Sequence, residues 1–253
     1  MKFKYITLNI WHGGLLWDQV IEFLKKENPD IIAIQEAYNG TDPSLPKRLR
    51  TDLELKAALN FDYSFFSPEL TDITKAGNVQ MGNLVLSKFP IKRTDVLYFE
   101  GSTINVDMNT FSDFASTPRN IQLVSLDVEG VNVNVFNTHG VWGEDGSDSP
   151  RRLSMSQKIV DFIADSENAI LSGDFNVNQG SRSISMLGEK LTNVFKDELT
   201  SSFNMNRKPK DSGYKVAVVD YIFLSPNIKV IDHYCPKIDI SDHFPLVAVL
   251  EIS

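Results

Sequence analysis

Cysteine is nearly absent from this sequence, and so is any long apolar run. Cys235 is the only cysteine among 253 residues, which excludes an internal disulfide framework and a zinc site built from several thiolates. No apolar stretch approaches the roughly 18 residues of a membrane-spanning helix. Thr7 and Asn9 interrupt the apolar start at alternate positions, which is typical of a strand rather than a secretory signal. We therefore expect a cytoplasmic protein without an integral membrane segment, and a secreted one only if a signal peptide has been removed.

Basic residues are also scarce. The chain has 25 Lys and Arg against 33 Asp and Glu, which gives a net charge of −8. This balance argues against broad electrostatic adhesion to nucleic acid, which needs many Lys and Arg contacts to phosphates. It does not exclude a phosphate-bearing substrate, because a bound cation inverts the local field of a carboxylate cluster.

Alternating apolar residues mark the predicted strands, and helical spacing is confined to a few segments. Strands are predicted at 3–10, 31–36, 83–87, 120–128, 131–138, 168–173, 216–224 and 246–251. Helices are predicted at 16–27 and 45–59, from Ser149 with Pro150 in the first turn, and after Gly180. Two packed mixed sheets with helices on their outer faces explain this α/β order better than one parallel sheet.

No repeat or linker interrupts the chain, so we expect residues 1–253 to form one domain and a monomer. Two segments are predicted to be surface insertions, the aromatic and polar segment 98–118 and the basic segment 200–213 with Lys208 and Lys210. Long irregular loops are often functional. If segment 98–118 protrudes, it favours lipid contact; if it folds inward, it shapes a pocket or stacks bases.

Polar residues recur at the ends of the apolar strands. They are Asn9, Glu36, Asn137, His139, Asp174, Asn176, Asp220, Asp242 and His243. Charged side chains within apolar strands are costly to bury without a partner, and strand ends are where α/β proteins build their sites. Carboxylate and amide oxygens suit Mg²⁺, Mn²⁺ or Ca²⁺, although the two histidines leave a zinc site open as an alternative.

Five motifs carry a resemblance to a known family. IIAIQE, NTH, LSGDFNV, VDYIFLS and SDHFPLVA, in this order, resemble the endonuclease/exonuclease/phosphatase superfamily. The resemblance implies the fold of pancreatic-type deoxyribonuclease, a four-layer α/β/β/α sandwich, and divalent-metal-dependent cleavage of a phosphate ester with Mg²⁺ or Mn²⁺.

The resemblance also implies metal ligands and a proton-transfer pair. Glu36 corresponds to the principal metal ligand, with Asn9, Asp242 and Asp174 as its neighbours. His243 corresponds to the catalytic histidine, and Asp220 to the carboxylate that holds it. A carboxylate on the second nitrogen of a histidine fixes its tautomer and raises its basicity. Either His243 or Asp174 can then deprotonate the attacking water, and the His243–Asp220 pair is the favoured one.

Four residues are expected to contact the nucleophile or the phosphate. Asn176 and Asp174 resemble the pair that contacts the nucleophile and the phosphoryl oxygen, and a protonated His139 is expected to donate to that oxygen. Arg119 resembles a cation near the phosphate, with a solvated strand-end charge as its alternative.

Other polar residues are predicted to have structural or surface roles. Asn83 is expected to brace a loop, His12 to belong to a plain turn, and His233 to lie at the surface. The basic run with Lys47, Arg48 and Arg50 suggests an anionic substrate only weakly.

Departures from the family pattern leave the substrate open. Val218 stands where many members have a basic residue, and Gly140 where many have leucine. The sequence predicts a phosphodiester hydrolase, either a nuclease or a small phosphodiesterase. The alternatives are a phosphomonoesterase or sphingomyelinase-like lipid-headgroup hydrolase and, less favoured, a catalytically silent binding protein.

Overall fold

Two mixed β-sheets form the centre of the fold. The computed structural model describes residues 1–75, 77–207 and 217–252. The strands are β1 Lys2–Asn9, β2 Ile31–Tyr38, β3 Tyr63–Asp72, β4 Val79–Ser87, β5 Ile91–Tyr98, β6 Ile104–Val106, β7 Asn120–Val128, β8 Val131–His139, β9 Ala169–Asp174, β10 Thr192–Asn193, β11 Asp220–Leu224, β12 Lys229–Tyr234 and β13 Leu246–Glu251. The helices are α1 Trp17–Glu27, α2 Thr51–Leu59, α3 Pro150–Ile163 and α4 Arg182–Gly188, with short 3-10 helices at Lys47–Arg50 and Phe114–Ser116.

Each sheet combines parallel and antiparallel pairs. The first sheet has the order β12-β13-β1-β2-β4-β3-β6, and the second has the order β10-β11-β9-β8-β7-β5. Strands β1 and β2 are parallel, as are β8 and β9, while β13 runs antiparallel to β1. The carboxyl ends of β1, β2, β8 and β9 are therefore the strand ends from which a site can be built.

Three apolar layers hold the sandwich together. Between the sheets, residues such as Tyr5 and Val85 of the first meet Val135 and Ile222 of the second. Helices α3 and α4 cover the outer face of the second sheet, and α1 and α2 cover that of the first. The predicted four-layer α/β/β/α architecture is therefore confirmed. Burial of the apolar side chains on both faces of each sheet is the main source of its stability.

The helix boundaries follow local capping chemistry. Helix α3 begins as predicted, because the Ser149 hydroxyl accepts a hydrogen bond from Arg152 N at 3.3 Å and Pro150 needs no partner at the first position. The predicted helix 45–59 is wrong in its first part. Residues Lys47–Arg50 form a 3-10 helix, and the α-helix begins only at Thr51.

Five strands were not predicted from the alternation of apolar residues. β5 and β12 lie at sheet edges and expose charged side chains, as edge strands commonly do. β3 contains Pro68 and changes register there, which breaks the period of two. β6 and β10 have only three and two residues. β11 begins at Asp220, and residue 216, the predicted start, lies outside the described residues.

Both predicted insertions contact the core. In segment 98–118, Phe99 and Val106 are buried and β6 pairs with β3, so the segment folds inward. Within 200–207, Phe203 is buried and forms a bridge to His243, so this part is not a surface insertion. Residues 208–213, with Lys208 and Lys210, lie outside the described residues.

The space between the sheets becomes polar toward the strand ends. Gln35 Nε2 donates to Asn137 Oδ1 at 2.6 Å, and Asn137 Nδ2 donates to the carbonyls of Ile34 and Leu84. These bonds tie the two sheets together beneath the strand ends. Within the described parts of the chain, no helix combines the length and apolar character needed to cross a membrane.

Replacing Gly173 with alanine is expected to destabilise the fold. Gly173 has φ +139°, and an added Cβ would lie 1.9 Å from the Thr138 carbonyl oxygen, so β8 and β9 would have to separate. We expect the free energy of unfolding to fall by about 2 kcal/mol or more, measured by urea denaturation. Gly188→Ala is the control, because nothing lies within 4 Å of its added Cβ and its effect should stay within about 1 kcal/mol. Equal effects of the two substitutions would contradict this account.

Candidate active site

The strand ends of both sheets meet at a cavity of about 210 Å³. We call it the central cavity. It is lined by Asn9, Trp11, His12, Glu36, Phe114, Arg119, His139, Trp142, Asp174, Asn176, Asp242 and His243. Every predicted site residue is in this lining except Asp220, which lies behind His243.

Asn9 joins two carboxylates that come from different sheets. Its Nδ2 donates to Glu36 Oε1 at 3.1 Å and to Asp174 Oδ2 at 3.0 Å, while its Oδ1 accepts from Trp11 N. Asn9 thus turns its N–H groups, rather than its oxygen, toward the carboxylates. One nitrogen within hydrogen-bond distance of both means that Glu36 and Asp174 flank a common point.

A bend in β2 directs Glu36 into the cavity. Glu36 has φ +60° at a shift in the pairing of β2 with β4, and a β-bulge re-aims the side chain it carries. Its Oε2 accepts from His12 N at 2.7 Å. Burial opposes ionisation, but the nearby His12 and the hydrogen bonds from His12 N and Asn9 lower the pKa of Glu36. Glu36 is therefore ionised at neutral pH.

The turn after β9 holds Asp174 and Asn176. The backbone N–H of Asn176 donates to Asp174 Oδ1 at 2.9 Å, and Asn176 Nδ2 donates to the Gly140 carbonyl at 3.1 Å. Burial and the charge of Asp220 raise the pKa of Asp174 to about 6, against the opposing effects of His243 and the hydrogen bonds.

His243 is fixed between two carboxylates. Its Nδ1 donates to Asp220 Oδ2 at 2.9 Å, its Nε2 lies 3.6 Å from Asp174 Oδ2, and the Phe203 ring packs edge-on against it. Burial alone would lower the pKa of His243, but Asp220, Asp174 and Asp242 raise it to about 10. His243 is thus protonated at neutral pH in this arrangement, because three acidic neighbours surround it.

His139 has a different environment. Arg119 Nη1 lies 2.7 Å from His139 Nδ1 and 2.5 Å from Glu69 Oε2. Burial and the Arg119 charge hold the pKa of His139 well below its usual value. The expectation of a protonated His139 is wrong, because the Arg119 guanidinium occupies Nδ1. The neutral ring carries its proton on Nε2, which lies 3.6 Å from Asp174 Oδ2.

Asp242 reaches the cavity from the turn before β13. Ser241 Oγ donates to the Asn9 carbonyl at 2.7 Å and lies 3.3 Å from Asp242 Oδ1. The hydroxyl of Ser241 therefore attaches the segment that carries Asp242 and His243 to the end of β1.

Sequence reasoning did not identify several residues of the cavity and its support. Glu69 is fully buried and binds Arg119 and Asn83. It lies beside Pro68 in a strand that was not predicted, so its sequence context did not indicate a buried carboxylate. Trp11, Phe114 and Trp142 line the cavity but lie outside strand ends, so no periodicity indicated them.

The remaining three residues, which were predicted to have structural or surface roles, lie in different places. Asn83 braces from behind the cavity, with Nδ2 donating to Asn120 Oδ1 at 3.1 Å. His12 does belong to a turn, but its ring also lines the cavity, with Nδ1 3.7 Å from Glu36 Oε2. His233 is elsewhere and pairs with Glu198.

The donor set fits a hard divalent cation. Asp174, Asp220 and His243 place one ligand atom each within 4.8 Å of the others, but Asp220 is already committed to His243. Glu36 and Asp174 offer carboxylate oxygens on either side of Asn9, and Asp242 lines the same cavity. Oxygen donors of this kind suit Mg²⁺ or Mn²⁺. A cation there would also offset the charge of buried carboxylates.

Comparison with known proteins gives a consistent result. The family model described as Endonuclease/Exonuclease/phosphatase family matches residues 6–243, whereas no curated protein matches the chain. A similar structure is an endonuclease/exonuclease/phosphatase from Bacteroides vulgatus, with TM-score 0.72, 18% identity and full coverage of both chains. The Bacteroides thetaiotaomicron mannosyl-6-phosphatase Bt3783 has TM-score 0.66 and 19% identity, covering 99% of this chain and 100% of that one. Sphingomyelinase C from Streptomyces griseocarneus has TM-score 0.63 and 20% identity, covering 98% and 99%.

The buried Glu69–Arg119 pair predicts a large effect on stability. Glu69→Gln leaves the buried Arg119 charge without its carboxylate, so we expect the free energy of unfolding to fall by about 3 kcal/mol. Burial raises the pKa of Glu69 to about 7, against the attraction of Arg119, so urea denaturation is measured at pH 8, where Glu69 is mostly ionised.

The matched control is an exposed pair of the same type. Arg151 Nη2 lies 2.6 Å from Glu100 Oε2 at the surface, so Glu100→Gln should cost less than about 1 kcal/mol. A loss for Glu69→Gln no larger than that for Glu100→Gln would show that Arg119 does not depend on this carboxylate.

Proposed function

The chain belongs to the endonuclease/exonuclease/phosphatase family, and from this we propose that it is a divalent-cation-dependent hydrolase of phosphodiester bonds. The family fold is typically hydrolytic. The observation that supports the finer proposal is the convergence of Glu36, Asp174 and His243 on one cavity, joined by Asn9. Scattered positions in the sequence thus supply both cation ligands and a proton-transfer group.

The cation ligands are Glu36, Asp174 and Asp242, with Asn9 as the residue that spaces the first two. When bound, Mg²⁺ or Mn²⁺ supplies Lewis-acid polarisation of a phosphoryl oxygen and stabilises developing charge on the leaving oxygen. In the protein, Asn9 holds the Glu36 and Asp174 oxygens within hydrogen-bond distance of its single amide nitrogen. This arrangement fixes the ligands before the substrate arrives.

Proton transfer is assigned to His243, Asp220 and Asp174. Asp220 accepts the Nδ1 proton of His243 and thereby points Nε2 toward Asp174. A water that faces both His243 Nε2 and Asp174 Oδ2, which are 3.6 Å apart, would be within hydrogen-bond reach of both groups. Because His243 is protonated in this arrangement, Asp174 is the side chain that can take the proton of the water, and His243 orients the water. The pair therefore acts as one unit that orients and deprotonates the nucleophile.

The phosphate-facing residues are Asn176, His139 and Arg119. The turn that holds Asn176 also fixes Asp174, so the amide and the carboxylate move together. His139 donates as a neutral ring through Nε2 because Arg119 occupies Nδ1. Arg119 adds a permanent positive charge at the cavity wall. Donors fixed in advance stabilise charge as it develops in the transition state.

Charge in the cavity favours a diester over a monoester. The lining contains the carboxylates of Glu36, Asp174 and Asp242, and Arg119, the only arginine or lysine among the described residues of this lining, is already paired with Glu69. A phosphomonoester carries up to two negative charges and a diester carries one. The diester therefore meets less repulsion and needs fewer cations.

The aromatic lining also suits a substrate with a group on each side of the phosphate. Trp11, Phe114 and Trp142 offer ring faces or edges around the cavity, and such rings stack on bases or pack against apolar groups. The fold alone does not choose among substrates, because similar structures are named as a mannosyl-6-phosphatase and as a sphingomyelinase C.

A substrate panel with Mg²⁺, repeated in EDTA, tests the proposal. It contains plasmid DNA, abasic-site DNA, RNA, bis-p-nitrophenyl phosphate, p-nitrophenyl phosphate, sphingomyelin and inositol phosphates. We expect hydrolysis of diesters and its loss in EDTA. Activity restricted to monoesters would favour a phosphomonoesterase, and activity restricted to sphingomyelin would favour a lipid-headgroup enzyme. Full activity in EDTA, or none on any substrate, would overturn the proposal.

His243→Ala and Asp174→Asn are each expected to lower kcat by about three orders of magnitude, because both remove a group that holds or takes the proton of water. The measurement is hydrolysis of bis-p-nitrophenyl phosphate, with circular dichroism to show that the fold is intact. His233→Ala is the control, since that histidine pairs with Glu198 away from the cavity. A near wild-type rate for either site variant would remove that residue from the mechanism.

Glu36→Gln is expected to abolish cation binding. In the wild type, the melting temperature should rise with increasing Mn²⁺ concentration, because a ligand that binds only the folded state stabilises that state. The substitution keeps the size of the side chain but removes the charge. Glu198→Gln, remote from the cavity, should retain the full Mn²⁺ shift. A Glu36→Gln protein with an unchanged shift would place the cation elsewhere.

A further inference from the structure

A second cavity opens beside the central one. We call it the side cavity; it has a volume of about 310 Å³ and shares His12 and Phe114 with the central cavity as a common wall. Its character differs, because Arg48 and Lys75 face it together with the apolar side chains of Leu49 and Met108. Any substrate held in the central cavity thus has a cationic, partly apolar space next to it.

Among the described residues, no carboxylate neutralises the charge of Arg48. Its Nη1 donates to the His12 carbonyl at 3.1 Å, and no carboxylate of the described residues lies within ion-pair distance of its guanidinium. Arg50, two residues later, does have such a partner, with Nη2 2.9 Å from Glu54 Oε1. In a chain of net charge −8, an arginine that faces a cavity and has no carboxylate partner in the described ranges indicates an anionic ligand.

Lys75 adds to this field. Its Nζ lies 3.6 Å from Asp72 Oδ2, while Asp72 Oδ1 also accepts from the backbone N–H and the hydroxyl of Thr74 at 2.9 and 2.6 Å. Asp72 is thus partly engaged in holding its own turn. Two cations and one carboxylate leave the side cavity with a net positive charge.

The backbone that carries Arg48 is fixed relative to the central cavity. Gly13 N donates to the Glu36 carbonyl at 2.8 Å, and a Cβ on Gly13 would lie 2.1 Å from the Arg48 carbonyl oxygen. Thr51 Oγ1 donates to that same oxygen at 2.9 Å. The turn after β1 therefore sits directly on the 3-10 helix, and Arg48 keeps a set distance from Glu36.

We propose that the side cavity binds a second phosphate group of the substrate, joined to the scissile phosphate by a short linker. This inference rests on the proposed function and names the substrate class of the same site. The Arg48 guanidinium can donate two parallel hydrogen bonds to a phosphate, and the apolar wall of Leu49 and Met108 accommodates the linker. The second phosphate comes either from the neighbouring nucleotide of a nucleic acid strand or from a small bisphosphorylated ester.

The test measures binding without turnover. Dissociation constants are determined by calorimetry for the His243→Ala protein with Mg²⁺, and for the wild type in EDTA as a second background. One series contains the thymidine dinucleotides TpT, pTpT and TpTp; the other contains the diester glycerophosphoinositol and its 4-phosphate. The quantity of interest is the ratio of dissociation constants between single-phosphate and two-phosphate ligands.

We expect the second phosphate to tighten binding at least tenfold in one or both series, and Arg48→Gln to reduce that gain to below twofold. Arg48→Lys, which keeps the positive charge but loses the two parallel hydrogen bonds of the guanidinium, should retain part of the gain in affinity. Lys47→Gln is the control, because Lys47 belongs to the same basic run but does not line the cavity, and it should retain the full gain. A merely structural role of Arg48 would weaken all ligands alike and leave the ratio unchanged.

The outcomes separate cleanly. A gain confined to the dinucleotides identifies a nucleic acid strand as the source, and a gain confined to the inositol series identifies a small ester. No gain in either series, or a gain that survives Arg48→Gln, overturns the proposal. Failure of the wild type to hydrolyse any panel substrate would instead refute the proposed function, and the binding ratio would still decide the role of the side cavity.

Discussion

The Asn9 amide joins the two sheets at the point where their carboxylates meet. Glu36 lies at the bend in β2 of the first sheet and Asp174 ends β9 in the second, and both accept hydrogen bonds from Asn9 Nδ2. Two carboxylates at this separation, one buried and one half-buried, repel one another and are poorly solvated. The arrangement persists because the rest of the sandwich fixes the packing of the sheets, and it leaves local negative charge that a cation can offset.

The same constraint explains the contrasting histidines. His243 faces three acidic groups and is held in its charged form, whereas Arg119 occupies one nitrogen of His139 and holds it neutral. The two histidines of one cavity thus differ in protonation because each ring contacts different charged residues. Asp220 behind one and the Arg119–Glu69 pair behind the other set opposite proton affinities.

Much of the fold followed from the sequence, since strands buried on one face or both show clear apolar patterns. Val131, Val133 and Val135 identify β8 because they all point between the sheets. Edge strands such as β5 and β12 escaped prediction because solvent contact relaxes the pattern. The candidate site was predictable where a charged residue interrupted or ended such a strand, as at Glu36 and Asp174. Glu69 and the protonation of His139 were not, because both depend on Arg119, whose position in space no local pattern reveals.

The layer between the sheets changes from apolar to polar toward the cavity, and this change affects where the structure opens. Far from the cavity this layer is apolar, with Phe3, Val128 and Leu250 in contact across it. Near the cavity it contains Gln122, whose side-chain oxygen and nitrogen are both buried without a hydrogen-bond partner among the described residues. Local opening costs least where apolar contacts are few. Amide hydrogens at the cavity end of β7 and β8 should therefore exchange with solvent sooner than those at the opposite end. Local opening of the sandwich then begins at the edge that carries the candidate active site.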